Sequence, residues 1–301
     1  MKKNRIILAV TVSLFILVGS CRTDSEGPLL KANKVEFDTL VVEKRQYLHS
    51  DTVGPFCDLN VHFVYPNRSE KADLKRLQEH FIRNTFGQPY DDFAPEEAIE
   101  RYTKDFLQNY QADAQIFQTK FQELENHPNL LPQNLDSSQE KELQSNEFYT
   151  YIETLSSKIH FNKNNLLSFQ VCRTNSKGGS ATYSAYNNYV VNLETGDLVT
   201  ENDLFVAGYD VALQQLFATK LLQQNNVSSV YDLEELGYFG IDEIMPNRNF
   251  LIDEEGITYI FNKGEYSAYL LDAPEVFIPF NDLRMLLKKH TLVTELAEQL
   301  K

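Results

Sequence analysis

The feature that most constrains the fold of this chain is the alternation of apolar and polar side chains over residues 58–65, which is interrupted only at Val64. This pattern is typical of a β-strand with one buried side and one side that faces solvent. The positions predicted to face inward are Leu59, Val61, Phe63 and Tyr65. A strand of this kind belongs in a sheet whose apolar face is covered by other elements, so the covering elements are the next question.

Two helical patterns follow this strand, which Pro66 is predicted to end. Ser69 has the character of an N-cap for a helix that runs to Phe86. A longer helix is predicted from Pro95, because proline suits the first turn and two glutamates follow it. Apolar residues recur along it at spacings of three and four and predict a buried stripe, with Phe106 and Phe117 in the core. The stripe consists of Ile99, Tyr102, Phe106, Tyr110, Phe117, Phe121 and Leu124.

The rest of the chain alternates between hairpin-spaced strands and blocks of helix. Strands are predicted at Phe148–Phe161, Leu166–Thr174, Tyr183–Asn192 and Glu275–Ile278, with a hairpin across residues 250–261, a helix that includes Leu213 and Phe217, and helices at Pro279–Lys289 and Leu292–Leu300. We therefore predict an α+β fold, in which an antiparallel sheet packs against helices. The predicted ectodomain has two parts, residues 35–145 and residues 146–301, and Val276 and Ile278 are predicted to be buried in the second.

The N-terminal residues 1–20 have the order of a secretory signal peptide. Three basic residues precede the apolar run Ile6–Val18, which is short for a membrane-spanning helix. Val18-Gly19-Ser20-Cys21 resembles a bacterial lipobox, which implies lipidation of Cys21 and a lipidated tether over residues 21–34. The expected location is therefore outside the cytoplasm, on the periplasmic or cell-surface side of a bacterial membrane. An uncleaved anchor with an incidental cysteine is the alternative.

The acidic charge of the chain limits its partners. The 301 residues include 28 Lys and Arg and 43 Asp and Glu. Three of the basic residues lie in the signal peptide, so 25 remain against 43 acids and the mature chain carries a net charge of −18. This balance disfavours nucleic acid and anionic lipid surfaces as partners. It favours a cationic partner, or serves solubility alone.

Two cysteines, Cys57 and Cys172, remain after lipidation of Cys21. An exported protein can form a disulfide, and the count is even. The strand patterns argue against a disulfide. Cys57 lies on the same side of its strand as the inward residues Leu59 and Val61, whereas Cys172 lies on the same side as the polar residues Ser168 and Gln170. A disulfide requires the two side chains to face each other. Both a disulfide and two free thiols therefore remain open at this point.

From Lys177 to Leu287 the chain resembles a bacterial envelope family catalogued as domain of unknown function 3298. Three stretches carry the resemblance in the family's order and spacing: KGGSATYSAYNNYVVNLETGDLVTENDLF, NFLIDEEGITYIFN and EYSAYLLDAPEVFIPFNDLRMLL. Residues 35–125 resemble the companion domain of unknown function 4163. Relatives include RsiV-type anti-sigma receptors, whose extracellular part binds lysozyme, and a protein that carries this pair of domains ahead of a polysaccharide deacetylase.

The chain departs from the family pattern at two places. Family members often have a histidine shortly after the paired glycines, whereas Ser180, Ala181 and Thr182 stand here. Proline often precedes the tyrosine of the later motif, whereas Ala268 precedes Tyr269. The resemblance implies the fold, and it implies a binding role towards lysozyme or cell-wall material as an expectation.

Candidate partner-binding residues are tyrosines and acids in this second half of the chain. Tyrosine is a good interface anchor because it is large, fairly rigid and amphipathic. Acids from residue 232 to residue 243, with no Lys or Arg among them, could attract a cationic protein. The candidates are Tyr183, Tyr186, Tyr189, Tyr269, Glu234, Glu235, Asp242 and Glu243. Burial in the core is the alternative for each of the three tyrosines between 183 and 189, and a solvated surface is the alternative for the acids.

The sequence contains no His-Glu-x-x-His, no Gly-x-Ser-x-Gly, no P-loop and no Cys-x-x-Cys, and its one Ser-x-x-Lys match, Ser138 to Lys141, has no supporting partner motif. Its histidines are scattered, and no acid or thiol joins them at the spacing of metal ligands. We therefore expect no catalytic residue, cofactor or metal. The predicted function is that of a non-catalytic, lipid-anchored binding or sensing module for a cationic protein such as lysozyme, or for peptidoglycan. The alternatives are an accessory protein or enzyme of cell-wall polysaccharide metabolism, and a structural or assembly lipoprotein.

Overall fold

The computed structural model describes residues 30–48, 54–125, 149–178 and 181–299, and within the helix that ends at residue 125 it leaves most side chains after residue 116 undescribed. The signal peptide, Cys21 and the side chains of Phe117, Phe121 and Leu124 lie outside the described residues. A fragment of residues 22–301 therefore contains every described helix and strand. In the described part of the chain, no helix has the length and apolarity needed to cross a membrane.

A six-stranded sheet forms the centre of the fold, with its strands in the order in which they occur along the chain. β2 and β3 run parallel, and every other neighbouring pair is antiparallel. The parallel step needs a long crossover connection, and a 31-residue helix lies between these two strands. The strands are β1 Val35–Tyr47, β2 Phe56–Ser69, β3 Tyr151–Lys163, β4 Leu166–Lys177, β5 Tyr183–Asn192 and β6 Asp197–Leu198.

A smaller sheet of three antiparallel strands and a set of helices complete the fold, which confirms the predicted α+β class. Its strands are β7 Phe250–Ile252, β8 Gly256–Ile260 and β9 Glu275–Pro279. The described α-helices are α1 Leu74–Phe86, α2 Pro95–Glu125, α3 Glu201–Leu204, α4 Tyr209–Asn225, α5 Val230–Glu235, α6 Phe280–Leu283 and α7 Leu292–Gln299, and Gln88–Tyr90 and Ile241–Glu243 are short 3-10 turns.

Two hydrophobic clusters cover the two faces of the large sheet. In β4, Leu167 and Phe169 belong to the cluster under α1 and α2, whereas Leu166 belongs to the cluster formed with residues 204–296. Successive strand residues point to opposite faces, so β4 is buried on both sides. Val276 and Ile278 are fully buried in the second cluster, as predicted. The sheet takes strands from both sides of residue 145, and the division into two parts at that point remains a prediction.

The first helix begins later than the sequence predicts. β2 continues through Pro66 to Ser69, and the N-cap is Asp73, whose carboxylate accepts a hydrogen bond from the Arg76 N–H at 3.2 Å. Pro66 lies opposite Phe37 at an irregularity in the β1–β2 register. A proline lacks the N–H that a regular ladder needs, and at a bulge the ladder is already interrupted.

Two further predictions are corrected by packing. Phe106 is half-buried at the edge of the first cluster and is not a core residue. The helix predicted over Pro279–Lys289 stops at Leu283, because the main chain beyond it pairs with residues 204–206. There, the N–H of Val206 donates to the Leu286 carbonyl at 2.8 Å, and the N–H of Lys288 donates to the Leu204 carbonyl at 2.7 Å.

Cys57 and Cys172 are both free thiols. Cys57 is fully buried, and Cys172 shares its face of β4 with Ser168, whose hydroxyl donates to the Ile252 carbonyl of the small sheet at 2.6 Å. The two side chains therefore face opposite sides of the large sheet, which is the outcome that their strand parities favoured.

Candidate functional site

The most distinctive surface of the protein combines exposed apolar side chains with exposed carboxylates. We name it the apolar–acidic surface. Its apolar members are Tyr231, Leu236, Phe239, Met245, Tyr269 and Leu270, and its acidic members are Glu234, Glu235, Asp242 and Glu243. It is built on helix α5, the segment 236–245 that follows it, and the segment 264–271.

Helix α5 fixes the first part of this surface. Ser229 and Asp232 form a capping box, in which the Asp232 N–H donates to the Ser229 hydroxyl and the Ser229 N–H donates to the Asp232 carboxylate. Hydrogen bonds from Ser229 and then Ser228 lower the pKa of Asp232. Asp232 therefore serves the helix start. Tyr231 lies three and four residues before Glu234 and Glu235, so the three share one side of the helix.

Main-chain pairing brings the two loops of the surface together. Tyr238 and Ser267 form an antiparallel bridge. On either side of it, the N–H of Phe239 donates to the Tyr266 carbonyl at 3.1 Å, and the N–H of Ala268 donates to the Gly237 carbonyl at 2.9 Å. The segment that carries Leu236 and Phe239 is therefore held beside the segment that leads into Tyr269 and Leu270, although about thirty residues separate the two in the chain.

Tyr269 lies over Gly264. Gly264 has a φ of +86°, and a Cβ at this position would come within 2.8 Å of the Tyr269 ring and hydroxyl. Glycine suits the left-handed backbone at this position, and its lack of a Cβ also lets the ring of Tyr269 lie close to the main chain. The ring also lies 6.2 Å from the ring of Tyr183, so these two predicted residues are brought together. Tyr269 remains 69% exposed and Leu270 97% exposed.

All four acidic members of the surface are exposed. Among the described residues, no Lys or Arg lies within ion-pair distance of Glu234, Glu235, Asp242 or Glu243. Their charge is therefore not neutralised within the described part of the chain, and it adds to a negative potential around the apolar side chains.

Tyr186 and Tyr189 lie elsewhere. Tyr189 stacks on Phe169 with ring centroids 5.1 Å apart and packs against the first hydrophobic cluster. Tyr186 points to the opposite face of β5, opposite Cys172 in the register. Both are half-buried, as is Tyr183. The structure therefore brings Tyr183 and Tyr269 together, and it places the four acids before and after the segment 237–239 that pairs with residues 266–268. Tyr186 and Tyr189 pack elsewhere.

Sequence reasoning missed a buried carboxylate at the start of α3. Glu201 is only 4% exposed. Its Oε1 accepts from the Arg248 N–H at 2.9 Å, and its Oε2 accepts from the Tyr209 hydroxyl at 3.3 Å. Burial, and then the Glu201 carboxylate, raise the pKa of Tyr209. In the sequence Glu201 looks like an ordinary acid in a first helical turn, so only its long-range partners reveal its anchoring role.

A second buried network lies between α2 and the large sheet. Glu153 is buried, and its carboxylate accepts from the Tyr102 hydroxyl and from Arg173 Nη1, the latter at 3.2 Å. Arg173 Nη2 also donates to the Thr85 carbonyl at 3.2 Å. Burial, and then Glu153, raise the pKa of Tyr102 above its usual range. The charges of Glu153 and Arg173 compensate each other, which fits a structural tie between helix and sheet.

A cleft of about 520 Å³ lies between the residues before β1 and helix α7, and it shares no residue with the apolar–acidic surface. Lys31, Lys34 and Lys71 line it, together with Glu194 and Glu295. Glu194 accepts a hydrogen bond from Asn165 at 2.8 Å. The described residues contain no group of three or more His, Cys, Asp or Glu that could hold a metal ion.

The fold is α+β, and its second half carries the exposed apolar–acidic surface. Residues 202–281 match the family described as Protein of unknown function (DUF3298). The predicted resemblance is thereby confirmed over this range, which includes the whole apolar–acidic surface, and the companion-domain resemblance remains a prediction. No curated protein matches the chain.

Two crystal structures share the fold. A member of the DUF3298 family from Bacteroides fragilis NCTC 9343 aligns with a TM-score of 0.76 at 23% identity, over 88% of this chain and 98% of that one. A DUF3298 family protein from Pseudomonas aeruginosa PAO1 aligns with a TM-score of 0.52 at 12% identity, over 85% of this chain and 96% of that one.

Proposed function

We propose that this protein is a non-catalytic binding module of the bacterial cell envelope, anchored through lipidated Cys21, and that the apolar–acidic surface recognises a cationic protein. The observation that carries the proposal is that main-chain pairing joins the two segments that carry exposed Leu236, Phe239, Tyr269 and Leu270, and that four exposed carboxylates without an ion-pair partner among the described residues lie along the first of them. Contiguous exposed apolar side chains with a polar rim are characteristic of protein-binding surfaces.

The two kinds of side chain contribute in different ways. Carboxylates around a surface speed the encounter with a positively charged partner and make the association rate fall as salt rises. Apolar and tyrosine side chains that become buried in the complex slow its dissociation. The mature net charge of −18 also favours a cationic partner.

Lysozyme-type glycosidases are the first partner class that we propose, because residues 202–281 match the DUF3298 family and the resemblance of this chain extends to RsiV-type receptors, whose extracellular part binds lysozyme. Family members often have a histidine shortly after Gly178-Gly179 and a proline before Tyr269, whereas this chain has Ser180-Ala181-Thr182 and Ala268 at these places. These departures support a test over several lysozyme types instead of one.

The test is surface plasmon resonance with immobilised residues 22–301 and several lysozymes, at low and at physiological salt. Polylysine serves as the control for charge attraction alone. We expect saturable binding to at least one lysozyme, with an association rate that falls as salt rises. Absence of binding at high micromolar concentration in low salt, or equal binding of polylysine, would contradict the proposal and favour a structural lipoprotein.

A further inference from the structure

We propose that the open edge of β1 is a dimerisation site, at which β1 of a second copy pairs antiparallel in a register centred on Val41. β1 is the outermost strand of the large sheet, and among the described strands only β2 pairs with it. It is 13 residues long. An unpaired edge of this length presents a row of main-chain donors and acceptors that another strand can use.

The direction of these main-chain groups can be derived from one hydrogen bond. The N–H of Leu48 donates to the Pro55 carbonyl across the β1–β2 turn at 2.8 Å. Main-chain groups alternate sides along an antiparallel strand. The N–H and C=O groups of the even-numbered residues of β1 therefore point towards β2, and those of residues 39, 41 and 43 point towards the open side. The N–H of Thr39 fits this assignment, because it donates to the carboxylate of its neighbour Asp38 at 2.7 Å.

A register centred on Val41 uses these outward groups. It pairs Val41 with Val41 of the second copy through both main-chain hydrogen bonds. It pairs Thr39 with Glu43 in the same way, once the Thr39 N–H exchanges the Asp38 carboxylate for the Glu43 carbonyl and so releases Asp38. Val41 is 59% exposed although it is apolar. On the other face, Leu40 meets Val42 of the second copy, and both side chains already pack at the margin of the first hydrophobic cluster. The apolar margins of the two copies would therefore become continuous.

Charge placement selects the same register and the antiparallel direction. Asp38 and Lys44 are exposed, lie on one face of β1, and stand three residues before and after Val41 with opposite signs. Neither forms an ion pair with another described residue, whereas Arg45 pairs with Asp58 inside the chain. In the antiparallel register each Asp38 faces Lys44 of the second copy, so the pair occurs twice. A parallel arrangement would place like charges opposite each other, which is unfavourable.

The experiment is sedimentation equilibrium of residues 22–301, with Asp38→Lys, Lys44→Asp and the double variant Asp38→Lys/Lys44→Asp. We expect the wild type to show a monomer–dimer equilibrium. Each single variant opposes like charges twice and should weaken the dimer about tenfold. The double variant restores both pairs and should recover wild-type affinity. An equimolar mixture of the two single variants should form a heterodimer, since every facing pair is then attractive.

The mixture separates the proposed register from loss of folding, because two unfolded variants would not recover by mixing. Val41→Pro provides a second check, since proline removes an outward N–H and should abolish the dimer. A wild type that stays monomeric at all concentrations would overturn the proposal. It would also be overturned by single variants that dimerise as the wild type does, or by a mixture that gains nothing over its components.

Discussion

The side chain of Asn262 pairs with the main chain of Tyr186 as a neighbouring strand residue would. The N–H of Tyr186 donates to Asn262 Oδ1 at 2.7 Å, and Asn262 Nδ2 donates to the Tyr186 carbonyl at 3.1 Å. Asn249 continues the pattern, because its Oδ1 accepts from the Asn188 N–H at 2.8 Å. β6 pairs only with the last two residues of β5, so these two asparagines satisfy the part of the β5 edge that no described strand covers.

Replacing Asn262 should therefore destabilise the fold through the backbone of β5. Asn262→Ala leaves the half-buried N–H of Tyr186 without its partner, and an unsatisfied group of this kind costs about 1–3 kcal/mol. Urea unfolding of residues 22–301 measures the loss. Asn187→Ala is the matched control, because Asn187 lies on the same strand with an exposed side chain. Equal unfolding midpoints for the two variants would show that the asparagine pairing does not stabilise the edge.

The local sequence patterns predict a helix or strand well when one of its faces is apolar and packs against the core. The bounds predicted for Tyr183–Asn192 are those of β5, and the helix predicted from Pro95 is α2. Predictions fail where a distant segment intervenes. Pro66 does not end its strand because the bulge opposite Phe37 accommodates it, and the helix after Pro279 stops early because its continuation pairs with residues 204–206.

The candidate site could be predicted only in part for the same reason. The acids Glu234 and Asp242 are recognisable from their composition, and Tyr269 from its family motif. Leu236, Phe239 and Leu270 carry no pattern of their own, because a single apolar residue in a loop is equally compatible with burial and exposure. Only the pairing between residues 237–239 and 266–268 brings them together.

The two phenylalanines Phe81 and Phe106 should differ sharply in their contribution to stability. Phe81 is fully buried and stacks on Phe169 at 4.0 Å, so Phe81→Ala should cost about 3–5 kcal/mol. Phe106 is half-buried, and Phe106→Ala should cost less than half as much. Chemical denaturation of both variants tests this order, and a larger loss at Phe106 would contradict the placement of α2.

Cys57 should make the protein less stable at alkaline pH. Burial raises the pKa of its thiol from 9.0 to about 11. The thiol therefore ionises more readily in the unfolded chain, so stability is unaffected below pH 9 and falls as the pH rises from 9 towards about 11. Urea unfolding across this range should give a shallower pH dependence for Cys57→Ala and Cys57→Ser than for the wild type. Identical slopes in all three proteins would refute the assignment.

Anchoring through Cys21 is a prediction from the sequence alone. Cys21→Ala should release the protein from the membrane fraction or leave it as an unprocessed precursor, because stable anchoring depends on acyl chains at this residue. Fractionation with a labelled fatty acid measures both outcomes. Normal processing and membrane retention of the variant, together with an unlabelled wild type, would be incompatible with lipidation.

The most direct test of the central claim compares the kinetics of two variant classes with the partner identified by surface plasmon resonance. Replacing Glu234, Glu235, Asp242 and Glu243 by Gln should slow association more than it changes dissociation, and Tyr269→Ala with Leu270→Ser should mainly speed dissociation. The charge-matched control carries Gln at four exposed acids outside the surface: Asp92, Glu100, Glu295 and Glu298.

We predict a clear loss of association rate for the surface variant and a much smaller one for the control, although both lose the same net charge. The expected size is about tenfold at low salt, and it should diminish as salt screens the surface charges. Equal losses of association rate in the two charge variants would contradict recognition through the apolar–acidic surface. A dissociation rate that stays unchanged in the Tyr269→Ala, Leu270→Ser variant would contradict it as well.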